Sequence, residues 1–217
     1  MKKVTFYYVR HGKTRFNNLR RLQGRCDSPL IEEGIEDAGK ASLALRDVAF
    51  TRAYCSPAGR ARQTAEIIVE RHNVNLVPLE DLQEFDFGEL EGQCLLEPDV
   101  AAKVASHVKN NYDFTDLGGE NWEKIAKRIH RAYDGIASEA YDGETVLTVS
   151  HGSFGEHLIA ELFGISIEEL RRRQGGGFPI PNGGIFEFTW TDGKWDLLCL
   201  PKKPEDFVLW KKDEIDE

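Results

Sequence analysis

Val4-Thr5-Phe6-Tyr7-Tyr8-Val9-Arg10-His11-Gly12 sets six β-branched or aromatic residues directly against a charged corner. A short apolar run of that kind reads as a buried strand. Thr145-Val146-Leu147-Thr148-Val149-Ser150-His151-Gly152 repeats the arrangement far down the chain. Between them, strand patterns alternate with helical ones. The expected fold class is therefore α/β: a three-layer sandwich with a mostly parallel central sheet, helices on both faces and an antiparallel edge hairpin. Ligands of such sheets sit outside the carboxyl ends of the strands. If the two strands run parallel, His11 and His151 reach the same rim.

Working outward, Glu32 to Asp47 has a helical pattern, with Ile35, Ala38, Leu43 and Leu45 among charges. Thr51–Ser56 is a second strand, and Ser56-Pro57 suits the cap and first turn of a helix reaching about His72. Asn75–Leu79 is a third short strand. Residues 83–120 are acidic, aromatic and glycine-punctuated, with a helix near 98–111. They read as an inserted lid region within one domain spanning 1–217. A long amphipathic helix covers about Asn121 to Tyr141, and another runs from Phe154 to Phe163. Gly184–Thr191 and Lys194–Leu200, split by Thr191-Asp192-Gly193, form the hairpin. The tail from Pro201 is polar and expected on the surface.

The 217 residues carry 28 Lys and Arg against 37 Asp and Glu, a net charge of −9. The first 26 residues hold eight cations and no acid, which leaves 20 cations against 37 acids, or −17, for the rest. Binding to a phosphate backbone scales with the cations presented, so nucleic acid is not an expected partner. No run approaches the roughly 18 apolar residues of a membrane span. Val4–Val9 is shorter than the apolar stretch of about 7–15 residues in a secretory signal. A cytoplasmic protein with no membrane contact is expected. Cys26, Cys55, Cys94 and Cys199 form no CxxC pair and none stands near a His at zinc-ligand spacing, so no metal and no cofactor is expected. The hairpin and the tail offer the surfaces on which a homodimer could form.

A histidine ending a strand is weak evidence of chemistry. Two of them, each followed by a glycine that lets the backbone turn close to a ligand, are stronger. Arg10 stands beside His11, and Arg60 lies early in the helix after the second strand. Two guanidinium groups and two imidazoles facing one spot suit a dianion, which arginine holds bidentately. Spacing alone does not separate Arg60 from Arg62 or Arg71.

A resemblance does. Arg10-His11-Gly12-Lys13-Thr14-Arg15-Phe16-Asn17 resembles the RHGxTxxN signature of the histidine phosphatase superfamily, in its phosphoglycerate mutase-like branch. Leu22-Gln23-Gly24-Arg25-Cys26-Asp27-Ser28-Pro29-Leu30 is similar to its QGxxDxPL stretch. Ser56-Pro57-Ala58-Gly59-Arg60-Ala61-Arg62-Gln63-Thr64-Ala65 resembles SxxxRAxxTA, and the segment from Leu82 to Gly92 resembles LxExxFGxxEG. Val149-Ser150-His151-Gly152 resembles the closing SHG. The resemblance implies that His11 is the nucleophile and that Arg10, Arg60 and His151 hold the phosphate oxygens. Asn17 adds a donor, and Gln23 and Gly24 lie on the substrate side. Glu84 is the general acid, selected by the motif over Asp86, Glu89 and Glu91. Glu120, in a turn like the family's GGE, reads as a helix-start charge. Arg171-Arg172-Arg173 reads as a helix-end charge run.

The implied reaction is hydrolysis of a small phosphate ester through a phosphohistidine, with side chains rather than a metal supplying the cations. The alternative is a cofactor-dependent phosphoglycerate mutase. Mutases of the family carry extra cations after the acid, in a stretch like ERHYG. Here Glu84 is followed by Phe85-Asp86-Phe87-Gly88, and Asp86 has the wrong sign for a carboxylate substrate. Mutases are also expected to carry a longer insertion than 217 residues hold. The second alternative is a non-catalytic phosphate-binding or regulatory protein.

Overall fold

The computed structural model of the chain describes residues 1–216. In chain order its elements are β1 (Lys3–Arg10), α1 (Arg15–Asn18), α2 (Glu32–Ala44), β2 (Arg52–Cys55), α3 (Gly59–Val69) and β3 (Leu76–Pro78). There follow α4 (Pro98–Lys109), α5 (Trp122–Glu139), β4 (Thr145–Ser150), α6 (Gly152–Phe163), α7 (Ile167–Arg173), β5 (Ile185–Thr191), β6 (Lys194–Lys202) and α8 (Pro204–Asp216). The sheet order is β3-β2-β4-β1-β5-β6. The first four strands in that order are mutually parallel, and β5 and β6 run antiparallel at one side.

The register explains why two distant histidines meet. Arg10 and Ser150 are paired at the ends of β1 and β4. His11 N–H then donates to Ser150 O at 3.0 Å, so both chains leave the sheet side by side. β2 lies on the other side of β4, with Cys55 paired to Val149, and delivers Ser56 to the same rim.

Alternation along β1 splits the core. Val4, Phe6 and Tyr8 face one side with Ile125, Ile129 and Tyr133 of α5 and Phe154 and Leu158 of α6. Tyr7 and Val9 face the other with Ala41 of α2, Ala65 and Ile68 of α3, and Phe207 of α8. This is the three-layer sandwich that the strand pattern predicts. The segment 83–120 is less of a loose lid than its composition suggests. Phe85, Phe87 and Phe114 pack ring against ring, with centroids 5.1–5.6 Å apart. α4 rides outside them with Val100 alone buried among its residues.

Two sequence expectations change. Ser56-Pro57 does not open α3, which starts at Gly59 after an Ala58 cap with no side-chain bond. Ser56 Oγ is spent instead on the Ala58 amide at 3.3 Å and on His151. The tail is not merely surface, because α8 buries Phe207 to 1% exposure and sends Lys211 to the buried Glu187. The apolar residues of the charged tail, Phe207-Val208-Leu209-Trp210, are consecutive rather than helically spaced, so they carry too little periodicity to announce that helix.

The corner after β1 depends on bare backbone. A Cβ on Gly12 would meet Gly34 O at 2.0 Å, and one on Gly34 would meet Lys13 O at 2.0 Å. The His11 loop and the first turn of α2 therefore interlock through two glycines. Gly34→Ala is expected to destabilise the protein by about 1–3 kcal/mol, the usual cost of forcing atoms into a filled site. A lowered urea midpoint at unchanged slope checks it.

Candidate active site

His11 is 3% exposed and its Nδ1 lies 2.8 Å from Gly12 O. A carbonyl can only accept, so Nδ1 carries the proton and Nε2 presents the lone pair. Arg60 Nε donates to that Nε2 at 3.3 Å. Burial first, then the charges of Arg60 and Arg10, hold the His11 pKa well below the ordinary histidine value. The ring is neutral at pH 7.

His151 caps the start of α6, and its ring stands 5.2 Å from that of His11, edge to face. Its Nε2 lies 2.8 Å from Ser56 Oγ. Its backbone is gripped by Tyr8, whose hydroxyl donates to His151 O at 2.5 Å and accepts from His151 N at 3.0 Å. Burial, then Arg60 and His11, depress its pKa as well.

Arg60 is buried, whereas Arg62 on the same helix and Arg71 beyond its end are exposed. Its Nη2 donates to Gly24 O at 2.7 Å and its Nη1 to Cys26 O at 3.0 Å and Asp27 Oδ1 at 2.9 Å. Arg10 Nη1 donates to Ile180 O at 2.6 Å. Three buried polar atoms of this cluster have no protein partner: Arg10 Nε, Gln23 Nε2 and His151 Nδ1. Such groups cost free energy unless a ligand or water meets them. A phosphate would.

Asn17 is fixed in orientation. Its Oδ1 accepts from Thr14 N at 3.1 Å and from Asn182 Nδ2 at 3.2 Å, which leaves its own NH2 as the donor end. Gln23 Oε1 accepts from Thr14 Oγ1 at 2.8 Å. Gly24 acts through its carbonyl on Arg60, and a Cβ there would meet Glu91 Oε1 at 2.1 Å.

Glu84 is 6% exposed and lies across the start of α6. Its Oε1 accepts from Phe85 N at 2.8 Å and Phe154 N at 2.6 Å, and its Oε2 from Ser153 N at 3.0 Å. Burial raises its pKa, against the pull of Phe85 N–H and Arg60, so the carboxyl holds its proton longer than an ordinary glutamate. The neighbouring acids are differently employed. Asp86 accepts from Gly88 N at 2.9 Å, Glu91 holds the Arg25 and Cys26 amides, and Glu89 is exposed.

Some contributors carried no sequence signal. Asn182 donates to His11 O at 3.1 Å from the far end of the chain, and Tyr8 looked like one more strand aromatic. Glu156 is buried and paired with Arg171 at 2.9 Å, with a pKa raised by burial to about 7. Arg171 is therefore not simply a solvated helix-end charge; Arg172 and Arg173 pair with Glu169 in the last turns of α7. Among the described residues no three His, Cys, Asp or Glu side chains gather as a metal site. No helix among them is long and apolar enough to cross a membrane.

Residues 6–202 match the histidine phosphatase superfamily, branch 1. The chain belongs to that family. It is 34% identical over 170 residues to a probable phosphoglycerate mutase GpmB of Erwinia tasmaniensis, covering 76% of this chain and 78% of that one. The solved phosphoglycerate mutase of Bacillus anthracis superposes with a TM-score of 0.81 at 30% identity, over 97% of both chains. The phosphoserine phosphatase of Entamoeba histolytica, solved with 3-phosphoglyceric acid, superposes with a TM-score of 0.75 at 25% identity, over 92% of this chain and 97% of that one. A structure named a mutase thus matches end to end, and chain length does not separate mutase from phosphatase.

The buried histidines have a consequence for stability. His157 is fully buried and its pKa is pulled by burial to about 4. Below about pH 6.5 the unfolded chain protonates such a histidine while the native state does not, so stability is lost as the pH falls. Glu156, raised to about 7, works in the opposite sense over the same range. The comparison of wild type with His157→Gln isolates the histidine. Between pH 7 and 5 wild type is expected to lose about 2 kcal/mol more than the variant, read from urea midpoints at each pH.

Proposed function

We propose that the chain is a cytoplasmic phosphomonoesterase that hydrolyses a small phosphate ester through a phosphohistidine at His11, with no metal. His11 Nε2 attacks phosphorus and the ester P–O bond breaks. Arg10, Arg60, His151 and Asn17 hold the phosphoryl oxygens, beside Gln23 and Gly24. Glu84 gives its proton to the leaving alcohol oxygen. Its carboxylate then takes a proton from water, whose oxygen attacks phosphorus, and the N–P bond breaks to release inorganic phosphate. Segment 83–120 keeps bulk water from this exchange.

One observation carries the reading. Two titratable groups of one buried cluster are pushed in opposite directions: His11 toward neutral and Glu84 toward protonated. A nucleophile and an acid need those two states at once. Transfer of a phosphoryl group otherwise asks for positioned charge, which the guanidinium groups supply.

The second reading, mutase, is favoured by the names of the relatives. Against it stands Asp86, two residues after Glu84, where a carboxylate substrate would call for a cation. A panel of phosphate esters assayed with chelator, beside a coupled mutase assay primed with a bisphosphoglycerate, separates the two. Hydrolysis that survives the chelator and exceeds mutase turnover is expected.

His11→Ala is expected to lower phosphatase turnover by at least a hundredfold; turnover within tenfold of wild type would sink the phosphohistidine. Glu84→Gln is expected to lose about 10²–10⁴-fold on an alkyl phosphate. It should lose far less on p-nitrophenyl phosphate, whose leaving group needs no proton. The sign of the pH dependence follows. kcat/KM falls on the acid side as His11 protonates, at a pH below the ordinary histidine range. It falls on the alkaline side as Glu84 ionises, above the ordinary glutamate value. The alkaline limb is expected to vanish in Glu84→Gln.

A further inference from the structure

We infer that Arg128 and Glu120 form a clamp that positions Glu84 for proton transfer, a positioning role that rests on the general-acid reading above. Neither residue touches the reacting atoms. Both are buried, Arg128 to 4% and Glu120 to 7% exposure.

Every N–H of Arg128 is used. Nε donates to Glu120 Oε1 at 2.8 Å and Nη2 to Glu120 Oε2 at 2.9 Å, a two-pronged pair of the strong kind. The remaining three N–H groups go to backbone carbonyls around the acid. Nη1 donates to Asp81 O at 3.0 Å and Gln83 O at 2.5 Å, and Nη2 donates to Glu84 O at 3.0 Å. Glu120 holds the other side of the same loop. Its Oε2 accepts from Asp86 N at 3.1 Å, and its own N–H donates to Asp86 O at 2.9 Å. Burial favours the neutral acid here, but the Arg128 bonds and charge pull the Glu120 pKa below its ordinary value, so the pair is ionic.

The clamp also reaches the start of the helix that caps the carboxyl group. The Arg128 guanidinium lies 5.0 Å over the Phe154 ring, and Phe154 N donates to Glu84 Oε1. One arginine thus joins the loop that carries Glu84 to the helix start that holds its oxygens. The segment 81–86 has no regular ladder from Gln83 onward, so these bonds and Ser150 Oγ to Leu82 O, at 2.7 Å, help to fix it, beside the Arg131–Asp81 pair and the buried side chains of Leu82 and Phe85. A loop held this way keeps a carboxyl group within the narrow geometry that proton transfer needs.

The consequence is selective. Loosening the clamp should damage the step that uses Glu84 and spare the pocket of Arg10, Arg60 and His151. Arg128→Lys and Glu120→Gln are each compared with wild type for inorganic phosphate affinity and for turnover of an alkyl phosphate and p-nitrophenyl phosphate. Each is then repeated in the Glu84→Gln background. Expected is phosphate affinity within about threefold, alkyl phosphate turnover lowered about ten- to a hundredfold, and p-nitrophenyl phosphate lowered less than fivefold. In the Glu84→Gln background either substitution should add less than about twofold, since a positioning residue has nothing left to position. Equal losses on both esters would overturn the clamp, and so would a full loss that persists in Glu84→Gln. Loss of phosphate binding in both variants would also overturn it, because the pair would then support the whole fold rather than the acid. If Glu84→Gln itself shows no dependence on the leaving group, it is the general-acid reading that fails.

Discussion

Arg60 is the interaction on which the rest of the site depends. Its side chain is wholly buried, and a buried guanidinium is tolerable only where its N–H groups are met. Gly24 O, Cys26 O and Asp27 meet three of them, and His11 Nε2 meets a fourth. In doing so they fasten the loop after α1 to the start of α3 and to the end of β1. Asp27 remains partly in water, so much of the neutralisation comes from carbonyl dipoles rather than a full counter-charge. Strong positive potential is therefore left in the pocket. That potential is a cost to the fold and an attraction to a dianion.

The same charge sets the protonation of its neighbours. It depresses His11 and His151, and it opposes the rise of Glu84 without cancelling it. Burial is the larger influence on all three. Burial favours the neutral form of each group, which means an unprotonated imidazole but a protonated carboxyl. One physical cause thus favours the two protonation states that the proposed nucleophile and acid require. An exposed site would give neither, because water would return both groups to their ordinary values.

The parts legible in the sequence were those carried by local composition. Two apolar runs ending in His-Gly announced β1 and β4, and parallel pairing brought the histidines together. The separation of Arg60 from Arg62 needed the family motif, because the partners that bury Arg60, at 24–27 and at His11, are all distant in sequence. The clamp of Arg128 and Glu120 was not legible at all. Three of its bonds end on backbone carbonyls, which every residue has, so no residue type marks the receiving end. In the sequence Glu120 reads as a helix-start charge because it precedes α5, whereas in the fold Asn121 makes the cap bond. Asn182 was missed for the same reason as Arg128. A polar residue in a Gly-Pro loop becomes informative only when its target, His11 O, is in view.

The uneven charge of the first 26 residues takes a different meaning in three dimensions. Read as a line, eight cations without an acid suggest a surface that draws in phosphate. In the fold, two are paired with acids and a third is spent on a carbonyl. Lys13 pairs with Glu33 and Arg25 with Glu120, while Arg21 donates to Gly92 O. Of the others near the corner, Arg15 and Arg20 stay exposed, while Arg10, like Arg25, keeps a buried Nε–H without a protein partner. Attraction of a substrate by exposed arginines is screened by salt, since the Debye length is only about 8 Å at physiological ionic strength. The pull of Arg10 and Arg60 inside the pocket is screened far less. On the proposed function, affinity for the phosphate group belongs to these two cations rather than to the basic character of the segment.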